Sequence, residues 1–115
     1  MFDMVIESKK QGDDGSLSAE VRVPNGSVWF DGHFPGYPIL PGIAQLGMVY
    51  DIIRQSLHCQ VRVTEVNNIR FKQMIAPDDC LMVKAELRSE GGRYAFRITR
   101  AGEVVCMGSM TIANI

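Results

Sequence analysis

The sequence predicts an α+β domain in which a curved antiparallel sheet of about six strands wraps one long central helix. Three observations predict it. A proline-free stretch, residues 42–57, places Ile43, Leu46, Val49, Tyr50, Ile53 and Leu57 at three- and four-residue intervals, the period of a helix. Downstream the period changes to two: Leu81, Val83, Ala85 and Leu87 alternate with Met82, Lys84, Glu86 and Arg88, and Tyr94, Phe96 and Ile98 alternate with Ala95, Arg97 and Thr99. Short turn-forming clusters, not long linkers, separate the runs.

In chain order, residues 2–10 and 16–23 read as strands, and the cluster Gln11-Gly12-Asp13-Asp14-Gly15 between them reads as a hairpin turn. Pro24-Asn25-Gly26 and a short run from Ser27 to Phe30 follow. Asp31 to Gly42 then holds three prolines and three glycines in twelve residues, so neither a helix nor a paired strand runs through it. The helix of residues 42–57 is apolar nearly all round, with Ala44, Met48 and Ile52 on its remaining face, and it requires cover on most sides. Residues 61–75, 80–89, 93–100 and 103–113 supply strands for that cover. Gly91-Gly92 and Ala101-Gly102 read as two-residue hairpin connections, which makes the C-terminal half an antiparallel meander. Open sheet edges and a partly uncovered helix predict association into dimers.

A chain of 115 residues fits one domain, residues 1–115, with no separate cofactor-binding lobe, and no cofactor is expected. Twelve Lys and Arg against 13 Asp and Glu leave a formal net charge of −1, which gives no general field for nucleic acid. The longest wholly apolar runs are a few residues, far from the ~20 that a membrane helix needs. The expected location is the cytoplasm. Three widely spaced cysteines, Cys59, Cys80 and Cys106, form no metal-ligand pattern and read as buried reduced thiols. Seven methionines suit an adaptable apolar interior or an acyl tunnel.

The segment DGHFPGYPILPGIAQLGMVYD, Asp31 to Asp51, carries the chemistry. His33 stands in a rigid apolar loop between Gly32 and Phe34-Pro35, and its imidazole can exchange a proton near neutral pH as a general base. The bland alternative is a histidine donating to a backbone carbonyl. Pro41-Gly42 opens the helix, where free N–H groups and the positive dipole end offer a place for a carbonyl oxygen. The same pair could equally just end a loop and start a helix. His58, at the polar end of the helix, reads as a surface residue.

Gly32-His33-Phe34-Pro35-Gly36, Pro38 and Pro41-Gly42, followed directly by a helix, resemble the active-site segment of the hot-dog-fold 3-hydroxyacyl-acyl-carrier-protein dehydratases. Ile69-Arg70-Phe71-Lys72, Pro77-Asp78-Asp79 and Gly102-Glu103-Val104-Val105 extend the resemblance more weakly. It implies a hydro-lyase that interconverts 3-hydroxyacyl and trans-2-enoyl thioesters on acyl carrier protein, or on coenzyme A, in fatty-acid or related polyene or polyketide synthesis. It further implies His33 as the base, the Gly42 amide polarising the thioester carbonyl, the Ile39 carbonyl orienting the histidine, and Phe34 and Gly47 beside the substrate. The homodimer it implies places the His33 loop against the partner subunit. Alternatives are an acyl-thioester hydrolase and a non-catalytic, acyl-binding member of a heterodimer.

The resemblance departs at one position. The family carries a Glu or Asp fourteen residues after the histidine, and here that residue is Gly47. Glycine costs a helix roughly 1 kcal/mol relative to alanine. Asp51 lies one turn further and about 40° round the helix, so it could act directly or through a water, or could be an interior aspartate satisfied by Arg54, Arg70 or another cation. Gln45 lies nearly opposite Gly47 and is expected to meet a dimer or strand partner. Arg70 and Lys72, with Arg62, could face an acidic carrier protein or simply be solvated strand charges.

Overall fold

A computed structural model describes residues 4–30, 39–88 and 91–115. Its strands are β1 (Val5–Gln11), β2 (Ser16–Arg22), β3 (Val61–Phe71), β4 (Leu81–Leu87), β5 (Arg93–Arg100) and β6 (Glu103–Asn114). One helix, α1 (Gly42–Ser56), and a 3-10 turn at Val28–Phe30 complete the described elements. All six strands form one antiparallel sheet in the order β1-β2-β4-β5-β6-β3. This is the hot-dog arrangement, one helix against one sheet.

The alternation read from the sequence decides which face of the sheet meets the helix. Leu81, Val83 and Ala85 of β4, Tyr94, Phe96 and Ile98 of β5, and Ala19 and Val21 of β2 are buried, while their neighbours in sequence face outward. They enclose the buried face of α1: Ala44, Met48, Val49, Ile52 and Ile53 are each at most 1% exposed. Burying one such side chain contributes about 1.5–3 kcal/mol, so this layer is the principal source of stability. The opposite side of the helix is not covered by the sheet, and Ile43 is 70% exposed.

Two connections differ from the reading of the sequence. β3 does not precede β4 in a meander; it crosses to the far edge and pairs with β6, so only β4-β5-β6 is a meander. Ala101-Gly102 is a two-residue hairpin with both residues in the left-handed region (φ 52° and 83°), but Gly91-Gly92 is not. There β4 stops at Leu87, the Arg88 N–H donates to the Arg93 carbonyl (2.8 Å), and Gly92 presses on β6. A Cβ on Gly92 would lie 2.2 Å from the Ile112 carbonyl oxygen. Close approach of two backbones and a φ of 79° both require glycine here.

β3 carries the irregularity that matters for the site. Its pairing with β6 shifts between Asn67 and Arg70, where Asn68 has φ 55°. Such a bulge resets which side chains face inward. Val63, Val66 and Phe71 pair with inward-facing Ile112, Met110 and Cys106, while Arg70 pairs with outward-facing Met107. Gly108 of β6 accommodates the bulge, since a Cβ there would meet the Ile69 side chain at 2.4 Å.

The cysteines and methionines are less uniformly buried than expected. Cys106 is buried, but Cys59, just after α1, and Cys80, in the turn before β4, are exposed, and all three are free thiols. Met48 and Met110 belong to the core, whereas Met74 is 62% exposed. His58 is exposed, as expected. No helix among the described residues is long and apolar enough to cross a membrane.

Candidate active site

The start of α1 is built by sequence and then held in place by the sheet. Pro41 is its N-cap, in extended conformation (φ −62°, ψ 152°), with no side-chain cap. The amides of Ala44 and Gln45 both turn back to the Pro41 carbonyl, at 3.1 and 3.2 Å. Helix geometry gives Gly42 and Ile43, the first two helical amides, no partner within the helix, so they project along its axis with the dipole behind them. One residue earlier, the Leu40 N–H donates to the Ile75 carbonyl (2.8 Å), tying the helix entry to the segment after β3.

A group of charged side chains fixes that segment. Arg100 of β5 donates to the Met74 carbonyl (2.7 Å), to Asp79 Oδ2 (2.7 Å) and to Gln73 Oε1 (2.8 Å), and Asp79 Oδ2 also accepts the Ala76 N–H at 2.8 Å. A chain of contacts therefore runs from β5 through the 72–79 segment to Leu40 and on to Gly42.

Over the helix start lies a residue to which the sequence had given no role of its own. The Phe71 ring sits so close to Gly42 that a Cβ there would be 2.7 Å from its Cζ and 3.1–3.2 Å from its Cε atoms. Any side chain at Gly42 would therefore have to displace the ring. Phe71 is itself 51% exposed, and with Ile43 and Met74 it leaves apolar surface open around the helix start. The available signal was its place in Ile69-Arg70-Phe71-Lys72, but simple alternation cannot foresee the bulge that turns it inward.

Gln45 does not meet a strand partner. Its Nε2 donates to the Leu40 carbonyl (3.3 Å), clasping the turn that leads into the helix, while its Oε1 has no hydrogen-bond partner among the described residues. Asp51 is 4% exposed and both of its oxygens are engaged within its own helix. Arg54 pairs with Oδ1 through Nη2 and through Nε (3.0 Å), and Gln55 Nε2 donates to Oδ2 at 3.2 Å. The hydrogen bond and then the charge of Asp51 raise the Arg54 pKa above its ordinary value. Of the cations weighed for Asp51, Arg54 is the one that pairs with it.

Gly47 is half-buried in the second turn of α1, on the stripe that runs from exposed Ile43 to buried Asp51. Ile39 is likewise half-buried, just ahead of the helix. His33 and Phe34, with the rest of 31–38, lie outside the described residues. The structure therefore brings Ile39, Gly42 and Gly47 to one end of the helix and holds the Asp51 carboxylate on Arg54. Among the described residues no group of three or more His, Cys, Asp or Glu could hold a metal ion.

A family model described as ApeI dehydratase, of the ApeI-like family, matches residues 7–109. The 3-hydroxyacyl-[acyl-carrier-protein] dehydratase FabZ of Bacillus subtilis is 36% identical over 74% of this chain and 67% of its own length. The protein of the same name from Anoxybacillus flavithermus is 34% identical over 96% of this chain and 85% of its own. Among solved structures, the dehydratase heterocomplex ApeI:P from Xenorhabdus doucetiae superposes with a TM-score of 0.86 at 20% identity, covering 96% of this chain and 97% of that one. A hypothetical thioesterase from Streptococcus pneumoniae, solved with coenzyme A, gives 0.67 at 19% identity, covering 96% and 86%. These two structures share the fold.

Proposed function

The chain belongs to the ApeI-like dehydratase family, and from that premise we propose that it interconverts 3-hydroxyacyl and trans-2-enoyl thioesters carried on acyl carrier protein, in fatty-acid or polyketide-like synthesis. The observation that carries the proposal is the start of α1. Pro41 and Gly42 present an uncapped helix N-terminus beneath the Phe71 ring, nine positions after His33. The thioester carbonyl accepts from the Gly42 N–H, which stabilises the enolate-like charge that develops as the α-proton leaves. His33 takes that proton from C2. The C3–O bond breaks, and the hydroxyl departs as water after receiving the proton from the imidazole, so one histidine serves both steps of a syn elimination. The Ile39 carbonyl orients His33, while Phe34 and Gly47 border the acyl chain. Asp51 holds Arg54 and Gln55 and does not transfer a proton directly.

Without a carboxylate at Gly47 the leaving hydroxyl has no second acid, and such help is worth about 10²–10⁴-fold, so the rate is expected to be modest. Hydration of a 2-enoyl thioester, followed by loss of conjugated absorbance, tests the proposal: His33→Ala should abolish it, and a wild-type rate in that variant would refute it.

We also infer a dimer. β3 is an edge strand, and Val63, Val66 and Phe71 on its inner side are 37%, 43% and 51% exposed. Pairing β3 edges between two copies covers that strip, whose Phe71 lies over Gly42, and so brings the helix start to the subunit seam. Gly47 favours one second reading, a heterodimer whose other member supplies the missing carboxylate. In that case the chain alone is inactive and a partner subunit stimulates it.

A further inference from the structure

At the far end of α1 from Gly42, the helix and the sheet leave a pocket of about 390 Å³, within the ~300–1,000 Å³ range of small-molecule sites. Leu57, the C-cap of the helix, lines it and lies fifteen positions after Gly42, which sets the pocket about 22 Å along the helix from its start. Leu57, Val61, Leu87 and Ile112 give it apolar walls. None of the described residues that line it is charged, and Gly91 and Gly92, on another side, contribute no side chain that could fill it.

Hydrogen bonds tie together the segments that form the pocket. The Ile112 N–H donates to the Gly92 carbonyl (2.9 Å), the Ile115 N–H to the Gln60 carbonyl (3.1 Å) and the Cys59 thiol to Asn114 Oδ1 (3.3 Å). The Tyr50 hydroxyl donates to the Val61 carbonyl (2.8 Å) and fixes the helix to the same corner. One polar group is left over. Tyr94 lines the pocket and is only 7% exposed, and its hydroxyl makes no hydrogen bond among the described residues. Burial holds its pKa above the ordinary phenol value, so at neutral pH the hydroxyl keeps its proton and stays a donor. A buried tyrosine hydroxyl ordinarily has a partner, as that of Tyr50 does here.

We propose that this pocket binds a small uncharged molecule with an apolar body and one carbonyl oxygen, which accepts from the Tyr94 hydroxyl. Each part of that description answers a feature of the pocket. The apolar walls reward a hydrocarbon body, and the unused donor calls for one acceptor. A carboxylate is penalised, because it would enter without a counter-ion among the described lining residues. The site goes beyond the reaction proposed above and needs neither His33 nor the Gly42 amide.

Methyl hexanoate, an uncharged ester, is the probe, and hexanoate, with the same chain and a charged head, is its comparison. Titration followed by NMR should give saturable shifts at the Gly92 and Ile112 amides with the ester, and hexanoate should bind at least about tenfold more weakly. Tyr94→Phe keeps the ring and removes only the hydroxyl. It should weaken ester binding at least about threefold without lowering the melting temperature, because no bond within the protein is lost. Leu87→Trp, at a wall residue 42% exposed and so free to take a larger ring, should block the ester. The two exposed cysteines give an internal footprint: saturating ester should slow modification of Cys59, which lines the pocket, at least about threefold and leave Cys80 unchanged. Absence of saturable shifts at Gly92 and Ile112, hexanoate binding as tight as the ester, or full ester affinity in folded Tyr94→Phe would overturn the inference. So would a lower melting temperature of Tyr94→Phe, since it would assign the hydroxyl to the fold. None of these measurements depends on hydration of a thioester.

Discussion

Gly42 and Asp51 show how much single positions decide. A methyl group at Gly42 must displace the half-exposed Phe71 ring, which has room to swing, so Gly42→Ala is expected to change stability by less than about 1 kcal/mol. The same methyl crowds the amide proposed to polarise the thioester, and hydration should slow by at least about tenfold. A normal rate with an altered melting temperature would contradict that role. Asp51→Asn removes the charge that Arg54 pairs with and should cost roughly 1–2 kcal/mol in denaturant unfolding while leaving turnover within about threefold. A loss of about 10²–10⁴-fold in rate would mark Asp51 as a proton donor instead. Cys106 supplies a pH-dependent case. Burial raises its thiol from 9.0 to about 11, so between those values the unfolded chain has given up a proton that the folded chain keeps. Stability conferred by the neutral thiol is therefore full below about pH 9 and declines toward pH 11. At pH 8 a thiol reagent should modify Cys59 and Cys80 quickly and Cys106 only on unfolding. Sequence placed Gly42 at a helix start correctly, because proline and glycine announce one. It could not show that a ring from β3 lies over it.

Among the elements, the helix and strands were legible because periodicity reports which side of an element is buried. It does not report which element lies next to which, and so the crossing of β3 to the far side of β6 was not. The bulge at Asn68 was hidden for a related reason: the residues around it keep a plausible alternation, and only the register with β6, Asn67 opposite Ser109 and Arg70 opposite Met107, reveals the extra residue. The 72–79 segment, whose first four residues read as strand in the sequence although β3 ends at Phe71, anchors the helix entry through Ile75 and Leu40. Asp79→Ala, which removes both the Arg100 pair and the cap on the Ala76 N–H, should cost roughly 1–2 kcal/mol and loosen that anchor. Faster hydrogen exchange at Leu40, with exchange in α1 beyond its first turn unchanged, is the measurement that checks it. The Ala101-Gly102 turn invites the opposite change. Ala101 is held at φ 52°, where asparagine is tolerated better, so Ala101→Asn should stabilise the β5-β6 hairpin by roughly 0.5–1 kcal/mol in thermal unfolding.

At the scale of the whole molecule the sheet presents two unlike faces. Its inner face and the β3 edge carry uncovered apolar side chains; its outer face carries a basic groove. One is suited to a second copy and the other repels it, so assembly is expected to stop at a pair joined through β3. Light scattering at micromolar concentration should give a dimer, and Val66→Arg, which sets a charge in the apolar strip, should shift it toward monomer. A monodisperse wild-type monomer would remove the basis for a shared site. The only tryptophan, Trp29, sits in the 3-10 turn, its backbone N–H donating to Ser27 Oγ (3.2 Å), two positions before the segment that carries His33. The protein thus contains a single tryptophan, partly buried and covalently close to the proposed site, whose emission can be excited selectively over that of the three tyrosines. Emission of the unlabelled chain can follow the arrival of an acyl group directly, without a dye, a coupled enzyme or turnover.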